Sequence, residues 1–332
     1  DREGGSERVA PHGSAFFGSA VAERGSRAKR DGGHGRSMEA IDPAVHPGVA
    51  WRISPILNEL GGGRVGRGHL KLSLMKKLIP ILSAFGLVAT LQAAPDAKPV
   101  RVLHLTGGCC HDYEAQKDIL ATGVGERTKV EFTTLHEGGK GHKHQFEKLK
   151  KAGWEKDFDV VLYNICFARE TDVAYIESVT GTHKAGLPAV ALHCTMHSYH
   201  WDAKTDAWEQ FLGVTSPNHG PKAAITMTPK AKDHPVVKGF PASWKTPQGE
   251  LYNIKKVHDT ATVLIEGDNG QKKQPCVWVN EFNGTKVFGT TVGHHNETIA
   301  EPTYLDLVTR GLLWVTDKLN DDGSAVEGYG AE

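Results

Sequence analysis

A chain of 332 residues, 39% of them hydrophobic, has enough apolar matter for one large domain or two small ones and is not a disordered composition as a whole. Its 39 Lys and Arg balance 39 Asp and Glu. That balance argues against nucleic acid or an anionic membrane as partner, because both attract a basic excess.

Along the chain the average breaks into unlike parts. Residues 1–74 are crowded with Gly, Arg, Ser and His and show no sustained period of 2 or 3.6, so no fold is assigned to them. At Met75 the character changes: Lys76 and Lys77 form a basic start, Leu78 to Leu91 an apolar core, and the small residues Ala93 and Ala94 follow. The core is shorter than the roughly 20 residues a spanning helix needs, so the pattern reads as a secretory signal over residues 75–94. The expectation is a start at Met75, with residues 1–74 a disordered or spurious upstream extension. Residues 95–332 then form a periplasmic or secreted domain without a membrane span. Export implies an oxidising compartment, and five Cys, an odd number, leave at least one thiol unpaired within the chain. Adjacent cysteines bond poorly, so a bridge is expected between Cys109 or Cys110 and Cys166 or Cys194.

After Pro99 strands and helices alternate as in a doubly wound sheet. A strand over Val100 to Leu105 precedes a helix from about Tyr113 to Ala121. A strand over Lys129 to Leu135 precedes a helix from about His144 to Trp154. Strand Val160 to Tyr163, a helix from about Thr171 to Lys184 and strand Ala189 to His193 follow. The pattern then loosens into a short helix near Trp208 to Leu212, a strand over Ala223 to Thr228 and a connection through Pro235, Pro241 and Pro247. Strands near Ala261 to Ile265, Cys276 to Glu281 and Lys286 to Thr291 lead to a closing helix, Tyr304 to Leu319. The expected fold is α/β, a flavodoxin-like, mainly parallel sheet in a single domain. Gly138 to Gly141 lacks the Walker spacing, so no nucleotide cofactor is expected.

Chemistry gathers where the strand-like runs stop. The first breaks into Cys109, Cys110, His111 and Asp112, another into Asn164 and Cys166, the next into His193 and Cys194, and Val287 to Val292 into His294, His295 and Glu297. In open α/β sheets ligands bind outside the carboxyl ends of the strands, so these groups are candidates for one shared site. Asp112 also suits the N-cap of the first helix.

Five segments in this order, GGCCHDY, ALHCTMHSY, DHPVVKGFP, the GELY of Gly249 to Tyr252, and VGHH, resemble the ThuA-like (trehalose utilisation) family of the class I glutamine amidotransferase-like superfamily. The resemblance runs from about Val100 to Leu319. It implies action on keto-sugars or keto-glycosides made by a partner sugar dehydrogenase, by isomerisation or by cleavage through an enediolate. Position by position, His193, Glu250 and His294 match the family's polar residues. This chain departs from the family pattern at Gly249 and Cys194. Two imidazoles and a carboxylate suit a divalent metal, Zn or Mn, with His111, His197 or His200 as a fourth ligand or outer partner and His111 also as auxiliary acid/base. Glu250, His193 and His111 are thus the catalytic candidates, and His193, Glu250 and His294 the metal candidates. Asp112, Asn164, His197, Tyr199 and His295 are the substrate-binding candidates, with Trp201 as a stacking surface and Trp208 as core. Two rival classes are a cysteine hydrolase using Cys194 with His295 and Glu297, and a non-catalytic sugar-binding domain. The hydrolase is disfavoured because the expected nucleophile position falls on His193, and a one-residue shift on a strand turns the side chain to the other face.

Overall fold

The computed structural model describes residues 97–331, so the expectations for residues 1–94 lie outside the described residues. Strand β1 (Val100–Gly108) shows why a central strand of this sheet reads as a continuous apolar run. Val100 and Val102 enter one apolar layer while Leu103 and Leu105 enter the other, because successive side chains point to opposite faces and both faces are covered. Helix α1 (Tyr113–Gly125) starts where Asp112 accepts from the Ala115 N–H at 3.3 Å. The chain returns through β2 (Val130–His136), β3 (Val160–Cys166), α2 (Val173–Lys184) and β4 (Ala189–Leu192). Asp172 caps α2 through the Tyr175 N–H at 3.1 Å.

Beyond α3 (Ala207–Leu212), which Gly213 ends in a left-handed conformation, the strands shorten. They are β5 (Val214–Thr215), β6 (Asn218–Lys222), β7 (Thr226–Pro229), β8 (Trp244–Lys245), β9 (Glu250–Asn253) and β10 (Lys256–Val257). Longer strands β11 (Ala261–Asp268), β12 (Lys273–Phe282) and β13 (Thr285–Thr290) precede α4 (Asn296–Ile299) and α5 (Pro302–Val315).

The main sheet has the order β2-β1-β3-β4-β13-β12-β11-β7-β8. Its first five strands run parallel and the rest antiparallel. The fold is therefore flavodoxin-like, a mostly parallel core with helices on both faces and an antiparallel extension. Leu120 and Val124 of α1 and Leu305, Val308 and Leu312 of α5 belong to one apolar layer. Ile176 and Val179 of α2 and Trp208 and Phe211 of α3 belong to the other. Among the described residues no helix is long and apolar enough to cross a membrane.

Several expectations are corrected. The helix over His144 to Trp154 is two short 3-10 turns, Glu147–Lys150 and Trp154–Asp157. Lys151 turns extended and Gly153 takes φ 80°, which breaks the i to i+4 ladder, and Phe146, Leu149 and Trp154 anchor the segment singly. The closing helix stops at Val315 rather than Leu319, because Asp317 adopts φ 58°. The strand placed at Ala223 begins at Thr226. The cysteines pair as Cys109 with Cys110 and Cys166 with Cys194, not across those two sets. Cys110 takes φ 82°, a turn that folds the chain back at the adjacent pair. Cys276 is unpaired and buried.

Candidate active site

The ends of β1, β3, β4 and β13 lie at one edge of the parallel core, and each delivers a polar group there. His111 follows β1 through Gly107 and Gly108, both at positive φ. A Cβ on Gly108 would stand 2.3 Å from the Cys166 carbonyl oxygen, so only glycine lets β1 pass β3 this closely. His193 follows β4 and itself adopts φ 45°, a left-handed conformation uncommon outside glycine and concentrated at functional sites. Its Nδ1 donates to the Thr291 carbonyl at 2.6 Å, so the neutral ring carries its lone pair at Nε2. His294 follows Gly293, and its carbonyl accepts from Gln116 Nε2 at 3.2 Å. Glu250 opens β9, which pairs antiparallel with β6.

The four side chains meet. His111 Nε2 lies 3.0 Å from His193 Nε2 and 3.0 Å from His294 Nδ1. Glu250 Oε2 lies 3.0 Å from His294 Nδ1 and 3.7 Å from His193 Nε2. One donor atom from each of the four falls within 4.8 Å of the others, a spacing a single cation can bridge. Burial, reinforced by His111, holds His193 well below the usual imidazole range. Burial, reinforced by His294, lowers His111 to about 3. Burial pushes the Glu250 carboxyl up, but its hydrogen bond with His294 and the surrounding imidazoles outweigh this and leave it lowered. The set at neutral pH is therefore an ionised carboxylate beside the neutral rings of His111 and His193. His193 Nε2 and Glu250 Oε2 then bear no hydrogen, and His111 and His294 bring at most one each to three contacts of 3.0 Å. Whichever tautomers are assigned, one contact lacks a hydrogen.

Two cavities meet at this cluster and share Cys110, His111 and His294 in their walls. The outer is about 760 Å³ and is bordered by Asp112, His295 and Asn296. The inner is about 180 Å³ and is bordered by His197, Trp201, His219, Glu250, Tyr252 and the four paired cysteines. His197 stacks on Tyr252 at 4.3 Å with the rings nearly parallel, and burial lowers it to about 3. Trp201 is 44% exposed at the rim.

Among the substrate-binding candidates, His197, His295 and Asp112 border a cavity. Asp112 also caps α1 and accepts from Asn296 Nδ2 at 2.8 Å. Tyr199 does not reach either cavity: it is fully buried, edge-on to Trp208 and Tyr175, because the 3-10 turn after β4 directs it into the core. Asn164 is buried below the site, where it donates to Gln116 Oε1 at 3.1 Å and so steadies the side chain that holds His294. Cys194 is paired with Cys166 and is no free nucleophile in this state. Sequence reasoning missed His219, whose Nε2 lies 3.6 Å from Glu250 Oε2, and it overlooked Tyr113, whose hydroxyl lies 3.0 Å from His111 Nδ1. His219 sits on a short edge strand with no periodic signal. Tyr113 lies two residues from His111 and was legible only as the first residue of a helix.

The fold and the strand-end site define an α/β protein of the flavodoxin-like class. The sequence profile of the family described as "Trehalose utilisation", ThuA, matches residues 101–315, and the chain belongs to that family. A ThuA-like protein from Parabacteroides merdae ATCC 43184 is similar in structure, with a TM-score of 0.53 at 16% identity, over 71% of this chain and 98% of that one. Another, from Bacteroides uniformis ATCC 8492, has a TM-score of 0.51 at 17% identity, over 68% of this chain and 94% of that one. At such identities the likeness concerns the fold. No curated protein matches the chain.

Proposed function

We propose that this chain is an exported enzyme acting on a keto-sugar or keto-glycoside, by isomerisation or cleavage through an enediolate, with Zn²⁺ or Mn²⁺ held by His111, His193, Glu250 and His294. The observation that carries this reading is the shortage of hydrogens among the four inward donor atoms, three imidazole nitrogens and one carboxylate oxygen. One cation among them removes that shortage, and the donor set suits both metals. The carbonyl anchoring His193 Nδ1 and the Tyr113 hydroxyl beside His111 Nδ1 are the outer partners that orient such ligands. When bound, the metal supplies Lewis acidity to the sugar carbonyl and so acidifies the neighbouring C–H.

The chain's own groups account for the proton. Glu250, ionised, removes it from the carbon next to the carbonyl, and His219, open to solvent beside the same carboxylate, exchanges it. Return of the proton to the adjacent carbon yields the isomeric keto-sugar. Expulsion of a glycosidic oxygen from the same enediolate cleaves the disaccharide. The inner cavity is smaller than the roughly 300 Å³ at which drug-sized ligand sites begin, so it suits one sugar ring, with a second ring over Trp201. A keto-sugar is an oxidation product, so a sugar dehydrogenase must act upstream.

Metal analysis of protein purified from native cells without chelators, followed by assay on a 3-keto-glycoside, tests the reading. It expects about one Zn or Mn per chain and chelator-sensitive turnover. Metal-free protein with full turnover would remove the cation from the mechanism, and saturable sugar binding without product under any metal would favour a binding module. The export half is tested by the native N terminus, expected near Pro95 by mass spectrometry.

A further inference from the structure

The two cysteine pairs are not independent of each other. Cys109 Sγ lies 3.4 Å from Cys166 Sγ, so the four sulfurs form a chain from Cys110 through Cys109 and Cys166 to Cys194. Cys110 is exposed, whereas Cys109, Cys166 and Cys194 are buried. At the far end Cys194 Sγ lies within 4.8 Å of a His111 ring nitrogen and borders the inner cavity. An accessible entry sulfur, a buried relay and an exit at a pocket wall are what thiol–disulfide exchange along a line requires.

We infer that this cluster is a thiol–disulfide exchange site whose substrate is a dithiol and whose product is a rearranged pocket wall. One thiolate of the dithiol attacks Cys110, the accessible sulfur; a mixed disulfide forms there, the Cys109–Cys110 bond breaks, and Cys109 leaves as thiolate. Cys109 then attacks Cys166, its neighbour at 3.4 Å. A Cys109–Cys166 bond forms, the Cys166–Cys194 bond breaks, and Cys194 leaves as thiolate. The second thiol of the dithiol resolves the mixed disulfide and frees Cys110. The dithiol is oxidised by two electrons to its cyclic disulfide, and its two protons end on Cys110 and Cys194. One disulfide remains, now joining the turn after β1 to the end of β3 in place of the β3-to-β4 link. The inference uses no part of the keto-sugar reading and stands or falls apart from it.

The test is disulfide mapping of the full chain after one equivalent of dithiothreitol, anaerobic, with acid quench and alkylation. Trypsin separates the three relevant segments as peptides 102–117, 157–169 and 185–204. The expected product links 102–117 to 157–169, with alkyl groups on Cys110 and Cys194. If 102–117 instead carries two alkyl groups while 157–169 stays linked to 185–204, the relay is overturned. Failure of one equivalent to reduce either pair overturns the role of Cys110 as entry. Cys110→Ser gives a second route without any reductant, since it removes the partner of Cys109 and leaves a free thiol 3.4 Å from Cys166. The relay then expects the Cys109–Cys166 link and an alkylated Cys194, and an alkylated Cys109 beside an intact Cys166–Cys194 link would refute it.

Discussion

At the scale of single residues, Glu250 is where chemistry and architecture separate most cleanly. Its backbone belongs to the β6–β9 pair, while its carboxylate faces the imidazole cluster and His219. Glu250→Gln keeps the shape and removes both the charge and the capacity to take a proton. Turnover of a 3-keto-glycoside should fall about 10²- to 10⁴-fold, the range that positioned general bases contribute, with an unchanged far-ultraviolet circular dichroism spectrum. Wild-type turnover in this variant would remove Glu250 from the mechanism. The strand-end histidines were legible in the sequence because apolar runs that stop at His193 and His294 mark their own ends. His219 was not legible, because a short exposed edge strand carries no pattern to stop.

Elements deliver those residues through turns that the side chains alone do not reveal. Gly293 takes φ 135°, and a Cβ there would stand 2.8 Å from Tyr304 Oη and 3.3 Å from His193 Cβ. Gly284 also has positive φ, at 84°, but with open space around it. Gly284→Ala should therefore cost about 1–2 kcal/mol, the backbone penalty alone. Gly293→Ala adds steric overlap, typically about 1–3 kcal/mol, and pushes on His193, so it should unfold at lower urea and weaken cation binding as well. Equal midpoints for the two variants, measured by urea titration, would show that the close approach carries no energetic weight. The segment His144 to Trp154 teaches the complementary point: apolar residues at helical spacing do not make a helix when a left-handed glycine interrupts them and each side chain finds its own site in the core.

For the whole molecule, buried imidazoles outside the site add to its sensitivity to acid. His104 on β1 is fully buried, neither ring nitrogen has a hydrogen-bond partner among the described residues, and Phe132 meets the ring edge-on at 5.9 Å. Burial first, then His136 and Lys117, lower it to about 3, against the opposing pull of Asp118. The unfolded chain binds this proton near pH 6.5 and the folded chain does not until about pH 3. Its contribution is therefore full above the unfolded value and is lost as pH falls through that window, at up to about 1.4 kcal/mol per pH unit. His183, lowered to about 4 by burial, acts in the same direction. His104→Leu removes one such group and leaves no unpaired polar atom at that position. Its stability relative to wild type should rise steadily from pH 7 to pH 4.5 in urea melts, and parallel pH curves would contradict the assignment.

What the sequence by itself determined was the chain order of the central strands and helices, the edge at which chemistry collects, and the strand-end histidines His111, His193 and His294. Those follow from local patterns, namely period-2 and period-3.6 burial, helix caps, and polar residues where apolar runs end. Tertiary structure alone decided which sulfurs pair, that Tyr199 turns into the core while His219 reaches Glu250, and that Asn164 acts through Gln116. It also decided that β13, distant in the chain, lies parallel beside β4 and carries His294 to His193. The reason is physical. Each of these depends on distances between segments far apart in sequence, set by sheet order and by glycine-permitted close approaches, and no local periodicity encodes them.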